Sequence, residues 1–455
     1  MRILIDLQRA QTESCFRGIG RYSLSIAKEI AKNRGEHEII MALSALFPHT
    51  IEEIKSEFQD LLPPENIRVW DGITPTRESE EGNAANREVT EVLREAFLAN
   101  LQPDVILITS LFEGFGDDAV TSIKKFDKKT KIAVILYDLI PYIHKDIYLT
   151  HNQLYKHYYL RKVEEIKKAD LLLGISQSSS NEAIKHLNFN EDNISTISSA
   201  VDESFTCKTL SHDEKQALYK KYSITKKTIL YAPGGFDIRK NFEKLIKAYA
   251  RLPKKLKEQY QLVIVSKVDN ANKERLQKLA KDEGVAKDDL ILTGYVSDEE
   301  LIAFYSVCDL FVFVSIHEGF GLPVLEAMNC GAVVIGSNTT SVPEVIGCDE
   351  ALFDPYSVES IRDKIAQVLT DEALQNRLKE HNKKQVQKFS WDKSAKRAIQ
   401  FMEEYVSKSP SQKKNTSAKQ STLQIINELV SNKNFDLSDK VLAHLAEALA
   451  KNEKT

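Results

Sequence analysis

The sequence predicts an α/β protein with two parallel-sheet domains in tandem. Its 455 residues are too many for one ordinary core, which favours two domains. Short apolar runs alternate with longer amphipathic stretches, as in domains whose strands are buried on both faces. The pattern is interrupted by a polar stretch around residues 203–226 and then restarts, so this stretch is the expected hinge between two similar halves.

Five apolar runs in each half are predicted to be strands. In the first half they are residues 2–7, 37–43, 104–110, 131–137 and 170–176, with helices expected at 20–33 and 153–168. In the second half they are residues 228–233, 261–266, 290–296, 310–315 and 332–337. Ligands of such sheets bind beyond the carboxyl ends of the strands, so the residues that follow strands are the candidates for chemistry.

Composition narrows the function classes. Hydrophobic residues make up 42% of the chain and charged residues 28%, the balance of a globular protein, and the formal net charge of -4 argues against a nucleic-acid binder with a general basic surface. The five cysteines form no Cys-x-x-Cys pair and indicate reduced thiols rather than a disulfide frame or a zinc site. No apolar run approaches the ~20 residues of a membrane span, and no signal peptide is expected. We therefore expect a cytoplasmic protein that at most touches the inner face of a membrane.

The first strand is followed by a glycine turn that opens a helix. Gly18 and Gly20 would let a ligand approach backbone amides at a helix start, which suits a phosphate. Ser23 stands where a dinucleotide fingerprint has its third glycine, so a simple tight turn is an equal alternative.

The first strand of the second half leads to Gly234 and Gly235 and then to Arg239 and Lys240. Two cations where a helix begins oppose its dipole, so they are poor choices for stability alone. They are better explained by an anion held between them and the backbone amides. Two solvated basic residues are the alternative.

The letters EGFG occur twice, each time three residues after a serine at the end of a strand, giving Glu113 and Glu318. Only the second copy continues as LPVLEA, which places Glu326 inside a helix that Pro323 would begin. The residue equivalent to Glu326 in the first copy is Thr121. The second copy is therefore predicted to carry chemistry that the first does not, with Glu113 as a residue of the other half. The alternative is a purely structural role. In that case the helix dipole would favour Glu326 near the start of the helix, but Glu318 would have no explanation.

Together these motifs resemble the retaining glycosyltransferases of family 4, over roughly residues 1–406. The resemblance rests on the Gly18-Ile19-Gly20-Arg21-Tyr22 loop, the Arg239-Lys240-Asn241 group and Glu-x7-Glu at Glu318 and Glu326. It implies the GT-B fold, in which two Rossmann-like domains face a central cleft. Residues 389–405 look like the C-terminal helix that crosses back onto the first domain in that fold.

The resemblance implies a role for each matched residue. Arg239 and Lys240 would bind the diphosphate of a nucleotide-sugar as it leaves, and Glu318 would hydrogen-bond the donor sugar; these are the expected catalytic residues. The expected donor-binding residues are Gly18 and Gly20 at the phosphate, Gly235, the Tyr295-Val296 segment near the base, Phe320, Gly321 and Leu322 beside the sugar, and Glu326 on the ribose hydroxyls.

Two departures from the family pattern affect the other contacts. The chain has GGF where family members often carry an additional arginine, so Arg239 would take more of the phosphate contact. It also has Tyr137-Asp138 where many have a histidine before the aspartate, so Asp138 takes that position. Asp138, Glu113 and Ser176 are the candidate contacts to sugar or acceptor. There is no Asp-x-Asp motif, so we expect no metal, with Arg239 and Lys240 in its place, and no cofactor.

The expected reaction is transfer of mannose from GDP-mannose to a glycan acceptor in bacterial surface polysaccharide synthesis, such as O-antigen. The partners are then a nucleotide-sugar and a glycan acceptor that could be lipid-linked, and no nucleic acid. The mixed aromatic and basic residues 151–168 fit either peripheral membrane contact or an ordinary amphipathic helix. A nucleotide-sugar epimerase on the same scaffold and a non-catalytic glycan-binding scaffold are the alternatives.

The domain boundaries follow from the same pattern. They are an acceptor-side domain at 1–203, a linker at 204–226, a nucleotide-sugar domain at 227–388, the crossing helix at 389–406, a polar linker at 407–422 and a helical tail at 423–455. The tail is too small for a core of its own, so we expect it to dock on this protein, on a partner, or on more chain of a longer enzyme.

Overall fold

The structure, a computed structural model, describes residues 1–12, 18–408, 424, 426–427, 430–431 and 439–454. The chain divides into two compact units. Unit 1 comprises residues 1–175, 179–197 and 391–455, and unit 2 comprises residues 176–178 and 198–390. The domain boundaries predicted from the sequence stay predictions.

Unit 1 is built on a parallel sheet of seven strands with the spatial order β3-β2-β1-β4-β5-β6-β7. These strands are β1 (Arg2–Asp6), β2 (Glu38–Ser44), β3 (Ile67–Trp70), β4 (Val105–Ile108), β5 (Lys131–Leu136), β6 (Leu171–Gly174) and β7 (Ile194–Thr196). The five predicted strands are all present. Their apolar runs are buried on both faces, with Leu4, Val134 and Leu172 at 0% exposure, as in sheets covered by helices on both sides.

Unit 2 repeats the arrangement with six parallel strands in the order β10-β9-β8-β11-β12-β13. These strands are β8 (Lys227–Tyr231), β9 (Tyr260–Ile264), β10 (Leu290–Leu292), β11 (Leu310–Phe313), β12 (Val334–Ser337) and β13 (Leu352–Phe353). In each sheet the order reverses beside the first strand of the unit, between β1 and β4 and between β8 and β11. Ligands of open α/β sheets bind at such a switch point.

Helices connect the strands. They are α1 (Gly18–Lys32), α2 (Pro48–Phe58), α3 (Ala84–Asn100), α4 (Ile140–Ile143), α5 (Lys145–Tyr148), α6 (Gln153–Ile166), α7 (Gln177–Leu187), α8 (His212–Lys221), α9 (Phe242–Ala250), α10 (Lys254–Gln259), α11 (Asn270–Asp282), α12 (Asp298–Val307), α13 (Leu322–Asn329), α14 (Val342–Ile346), α15 (Val358–Thr370), α16 (Glu372–Gln385), α17 (Trp391–Lys408) and α18 (Asp439–Lys454). Within the described parts of the chain, no helix combines the length and the apolar content that crossing a membrane requires.

Helix α17 belongs to unit 1 and packs on α1. The rings of Tyr22 and Trp391 meet edge to face with centroids 4.9 Å apart, an arrangement that aromatic pairs favour. Tyr22 is 2% exposed and Met402 is 0% exposed. The chain that leaves unit 2 therefore ends on the unit in which it began.

The described tail residues also pack on unit 1. Leu445 and Ala448 of α18, together with Ile426, form an apolar cluster with Ile73 and with residues of α3. Two hydrogen bonds add to this apolar contact. Asn452 accepts from the Asp71 amide at 2.8 Å and donates to the Asp71 carbonyl at 3.0 Å. The predicted linker 407–422 lies outside the described residues beyond Lys408. Docking of the tail on a partner stays a prediction.

A charged substitution should lower the Tm on the buried face of α18 but not on its exposed face. Leu445 is 4% exposed and Leu442 is 47% exposed. We predict that Leu445→Asp lowers the Tm of unit 1 by roughly 3 °C or more, because it places an unpaired carboxylate in an apolar contact. Leu442→Asp is the matched control and should leave Tm within about 1 °C. Equal Tm values for the two variants in thermal unfolding would contradict the docking of this helix.

Candidate active site

The switch point of unit 2 holds a buried carboxylate between two cations. Arg239 and Lys240 lie on a short turn between β8 and α9, and Glu318 follows β11. Lys240 Nζ lies 2.6 Å from Glu318 Oε1, and Arg239 Nη1 lies 2.8 Å from Glu318 Oε2. Ser315 Oγ donates to Oε1 at 2.5 Å. We call these four residues the Glu318 cluster. The structure brings Arg239, Lys240 and Glu318 together, and their catalytic roles stay predictions.

Burial and charge act in opposite directions on this cluster. Glu318 is 8% exposed and Lys240 is 7% exposed. Burial favours the neutral carboxyl, but Lys240 and Arg239 outweigh it and hold the pKa of Glu318 below its ordinary value. Burial lowers the pKa of Lys240 even though Glu318 attracts its charge. Arg239, with 24% of its side chain exposed, is the more accessible cation.

A run of hydroxyl residues after β12 fixes the backbone that carries Glu318. Thr340 Oγ1 accepts from the Glu318 amide at 3.1 Å, and Ser341 Oγ donates to the Glu318 carbonyl at 2.9 Å. Thr339 donates to Ile316 O at 2.8 Å. Sequence reasoning missed these residues, although the polar run Ser-Asn-Thr-Thr-Ser directly after a buried strand was a usable signal.

Helix α13 begins four residues after Glu318. Gly321 precedes it with φ of +101°, a left-handed conformation that glycine adopts without strain. Within the first turn, Pro323 has no amide hydrogen and the Val324 amide donates to the Gly321 carbonyl at 2.9 Å, which leaves the Leu322 amide without a partner inside the helix. Phe320 is 3% exposed, with its ring 5.6 Å from that of Phe389. The contacts of the Phe320, Gly321 and Leu322 amides with a sugar stay predictions.

Glu326 lies apart from the Glu318 carboxylate. It stands in the second turn of α13 and accepts a hydrogen bond from the Tyr305 hydroxyl of α12 at 3.1 Å. It is partly exposed, which leaves it available to a ligand. The two carboxylates of the Glu-x7-Glu pattern thus have separate surroundings, as the sequence predicted.

Unit 1 contains a second cluster built in the same way. Arg9 follows β1, the strand equivalent to β8, and Glu113 follows β4, the strand equivalent to β11. Arg9 Nη1 donates to Glu113 Oε2 at 2.7 Å, and Ser110 Oγ donates to Oε1 at 2.5 Å. We call these three residues the Glu113 cluster. The role of Arg9 was not predicted from the sequence.

The Glu113 cluster lacks two features of the Glu318 cluster. One arginine is its only cation among the described residues, and residues 117–130, all of them described, form no helix after the motif. Thr121, at the position of Glu326, is 1% exposed and accepts from buried Lys162 at 2.6 Å. Burial therefore dominates and raises the pKa of Glu113 to about 7, although Arg9 and Ser110 act against it.

The other predicted donor-binding residues are placed as follows. Gly18 and Gly20 lie in the first turn of α1, with Gly18 exposed and Gly20 buried. Gly235 faces open space, since a Cβ there would meet no atom within 4 Å. Tyr295 is 79% exposed and Val296 is 8% exposed. Their contacts with a donor stay predictions.

Two candidate contacts have structural surroundings of their own. Asp138 accepts from the Ile140 amide at 3.0 Å at the start of α4. Ser176 is 0% exposed. Both can be explained without a ligand, and their roles with sugar or acceptor stay predictions.

The aromatic residues of α6 do not form a surface patch. Tyr158 and Tyr159 are each 4% exposed and pack into the core of unit 1 with Val163. The arrangement is that of the ordinary amphipathic helix, one of the two predicted alternatives. Membrane contact through other residues stays a prediction. Within the described ranges, no group of three or more His, Cys, Asp or Glu side chains could hold a metal ion.

The two parallel sheets place the chain among proteins of the GT-B fold, as two solved structures illustrate. A glycosyltransferase from Rickettsia africae superposes with a TM-score of 0.61 at 16% identity, covering 89% of this chain and 98% of its own. Anabaena HepE, solved in complex with UDP and glucose, superposes with a TM-score of 0.62 at 15% identity, covering 89% of this chain and all of its own. These likenesses confirm the predicted fold class.

The sequence comparison adds a family match and several relatives. Residues 214–385 match the family described as Glycosyl transferases group 1. The serotype-specific mannosyltransferase WbdA of Escherichia coli is 39% identical over 401 residues, which is 88% of this chain and 48% of the relative. O-antigen chain mannosyltransferase B of Escherichia coli is 32% identical over 236 residues, or 52% of this chain and 61% of the relative. The chain therefore spans about half the length of the first of these relatives.

The burial of the Glu113 carboxyl predicts that the stability of the protein depends on pH. Its native pKa of about 7 lies above the ordinary 4.5, so the native state keeps a proton that the unfolded chain releases. Stability from this group is present below pH 4.5 and is lost as the pH rises through 7, by at most about 3 kcal/mol. We predict that the Tm of Glu113→Gln minus that of the wild type increases from pH 5 to pH 8. Glu53→Gln, on the exposed face of α2, is the control, and a difference that stays constant with pH would contradict the burial argument.

Proposed function

We propose that this protein is a retaining glycosyltransferase that transfers mannose from GDP-mannose to a glycan acceptor without a metal ion. The acceptor belongs to bacterial surface polysaccharide synthesis. The Glu318 cluster beside the start of α13 is the observation that carries this proposal.

The cluster suits the leaving group of such a reaction. Transfer builds negative charge on the departing diphosphate, and fixed cations and amides stabilise that charge without reorganisation. Arg239 supplies a partly exposed guanidinium, Lys240 supplies a buried ammonium, and the Leu322 amide at the start of α13 lies four residues beyond Glu318. Two cations in fixed positions do the work that a metal does in other glycosyltransferases.

The proposed step needs no protein nucleophile. The bond between the anomeric carbon and the phosphate oxygen breaks, and its electron pair stays on the phosphate. The acceptor oxygen bonds to the anomeric carbon from the same face, and its proton passes to the leaving phosphate. The configuration is thereby retained, and Glu318 holds Arg239 and Lys240 in place throughout.

The choice of mannose rests on the relatives. WbdA and mannosyltransferase B, which are 39% and 32% identical over their matched parts, are named as mannosyltransferases of serotype and O-antigen chains. Since the chain covers 48% of the first and 61% of the second, the donor, the acceptor and the linkage of the whole protein are part of the proposal.

Unit 1 is proposed to contribute the acceptor contacts. Glu113 and the 18%-exposed Arg9 side chain lie at its switch point, where a hydroxyl group can meet both a carboxylate and a guanidinium. The start of α1, at Gly18 and Gly20, offers backbone amides to a phosphate.

A donor panel tests the proposal against its alternatives. The protein is incubated with GDP-mannose and other nucleotide-sugars, with and without a mannose-terminated acceptor, and products are resolved by mass spectrometry and NMR. We expect an α-linked mannose on the acceptor, because GDP-mannose is an α-linked donor and the configuration is retained. Conversion of the free donor without acceptor would indicate an epimerase, and no change across the panel would indicate a glycan-binding scaffold.

Two kinds of variant distinguish residues that stabilise the transition state from residues that bind the donor. We predict that Lys240→Ala or Glu318→Gln lowers kcat on the order of 10²-fold or more, because either change disturbs the fixed cations that stabilise the leaving diphosphate in the transition state. Glu326→Ala should instead raise the donor KM and largely keep kcat. Lys254→Ala, whose side chain is 91% exposed, is the matched lysine control. Near-normal kcat in both cluster variants would overturn the assignment of these residues.

A further inference from the structure

A cavity lies within unit 1, and its lining does not include the Glu113 cluster. It has a volume of about 700 Å³ and lies between α6 and the segment that leads into α3. Leu154, His157 and Leu160 line it from α6, and Glu80 and Arg87 line it from the other side. Cavities of about 300–1,000 Å³ are typical of small-molecule sites.

The walls of this cavity combine apolar surface with both donors and acceptors. Two leucines and Tyr158 supply the apolar surface, and four glutamates face two arginines, one lysine and one histidine. A carboxylate only accepts hydrogen bonds, and a guanidinium or ammonium only donates them. A ligand that satisfies both kinds of group must itself carry groups that donate and accept, as sugar hydroxyls do.

The two arginines that line the cavity are already paired with carboxylates of the protein. Arg161 pairs with Glu78, with Glu165 at 2.7 Å and with Glu91 at 3.0 Å. Arg87 lies 3.5 Å from Glu78. A phosphate or a free cation would compete with these pairs and meet four carboxylates or three permanent cations of the wall. The wall therefore favours a neutral polyhydroxyl ligand over a charged one.

The cavity is joined directly to the segment that carries Glu113. The Glu78 amide donates to Gly114 O at 2.9 Å, and the Ser79 amide donates to Phe115 O at 2.9 Å. The Phe115 ring lies 5.3 Å from that of Tyr158, which lines the cavity. The lining of the cavity and the segment that carries Glu113 are therefore neighbours within unit 1.

We propose that this cavity binds the interior sugars of the glycan acceptor, behind the sugar that reacts. The inference rests on the proposed function, since it takes Glu113 as the contact to the acceptor end. It adds a distal subsite, formed by α6 and residues 78–87, that selects neutral oligosaccharides by length.

Acceptor length is the variable that tests this subsite. Transfer is measured with a mannose disaccharide and a mannose hexasaccharide at saturating donor. We expect the KM of the hexasaccharide to be lower by about tenfold, the effect of a few net hydrogen bonds. Binding of the hexasaccharide without donor is measured in parallel by calorimetry, which gives a readout that does not depend on transfer.

Two variants change the cavity and leave the Glu113 cluster intact. Leu160→Trp fills the space, and His157→Ala removes an exposed polar group of the wall. Both should bring the two KM values to within about twofold of each other, while the disaccharide kcat and the donor KM stay unchanged. His151→Ala, an exposed histidine outside the cavity, is the matched control and should keep the length dependence.

The outcomes separate the subsite from the proposed function. Equal KM values for both acceptors in the wild type, or an undiminished ratio in both variants, would overturn the subsite and leave the transferase assignment standing. Failure of transfer with every acceptor would instead count against the proposed function. In that case the calorimetric binding, present in the wild type and lost in Leu160→Trp, still decides for or against the subsite.

Discussion

The arrangement of unit 2 depends on one buried carboxylate that is shared by two cations. Glu318 brings the end of β11 against the turn before α9, because Lys240 and Arg239 each bind one of its oxygens, at 2.6 and 2.8 Å. Without it, two like charges would face each other in a buried place, and removing one partner of a buried pair costs about 3–5 kcal/mol. The hydroxyls of Thr340 and Ser341 hold the same peptide from its other side. The position of both cations is thus set before any ligand arrives.

The protein uses this construction twice with opposite electrostatic results. In both units a serine three residues earlier and an arginine after the first strand bind the EGFG glutamate, with serine distances of 2.5 Å in each case. The second cation decides the difference. With Lys240 the pKa of Glu318 falls below its ordinary value, whereas burial raises that of Glu113 to about 7. A helix begins four residues after Glu318, whereas the described residues 117–130 after the first motif form none, so unit 2 combines two cations with the Leu322 amide of that helix start.

The sequence predicted the strands and the candidate donor residues better than it predicted the hydrogen bonds between residues that are far apart in the chain. Strands that are buried on both faces appear in the sequence as continuous apolar runs, so ten strands were predicted correctly. The missed strands are short or mixed in polarity, such as β3 with Arg68 and β13 with two residues. Arg9 and Thr340 were missed because their partners lie 104 and 22 positions away, and no periodicity reports such pairings. The motifs indicated that Glu318 belonged with Arg239 and Lys240, but not that its oxygens would be occupied by them.

Because Arg239 and Lys240 already bind the two oxygens of Glu318, the two cations have different roles in the proposed reaction. A donor diphosphate that took Lys240 from Glu318 would leave a buried carboxylate with one cation fewer, which is costly in a low-dielectric site. Arg239 has 24% of its side chain exposed against 8% for Lys240, and it can turn one edge of its guanidinium to a phosphate while the other stays on Glu318. Arg239 is therefore the direct phosphate contact in this scheme. Lys240 acts from behind it, by keeping Glu318 ionised and by adding a positive potential at the start of α13.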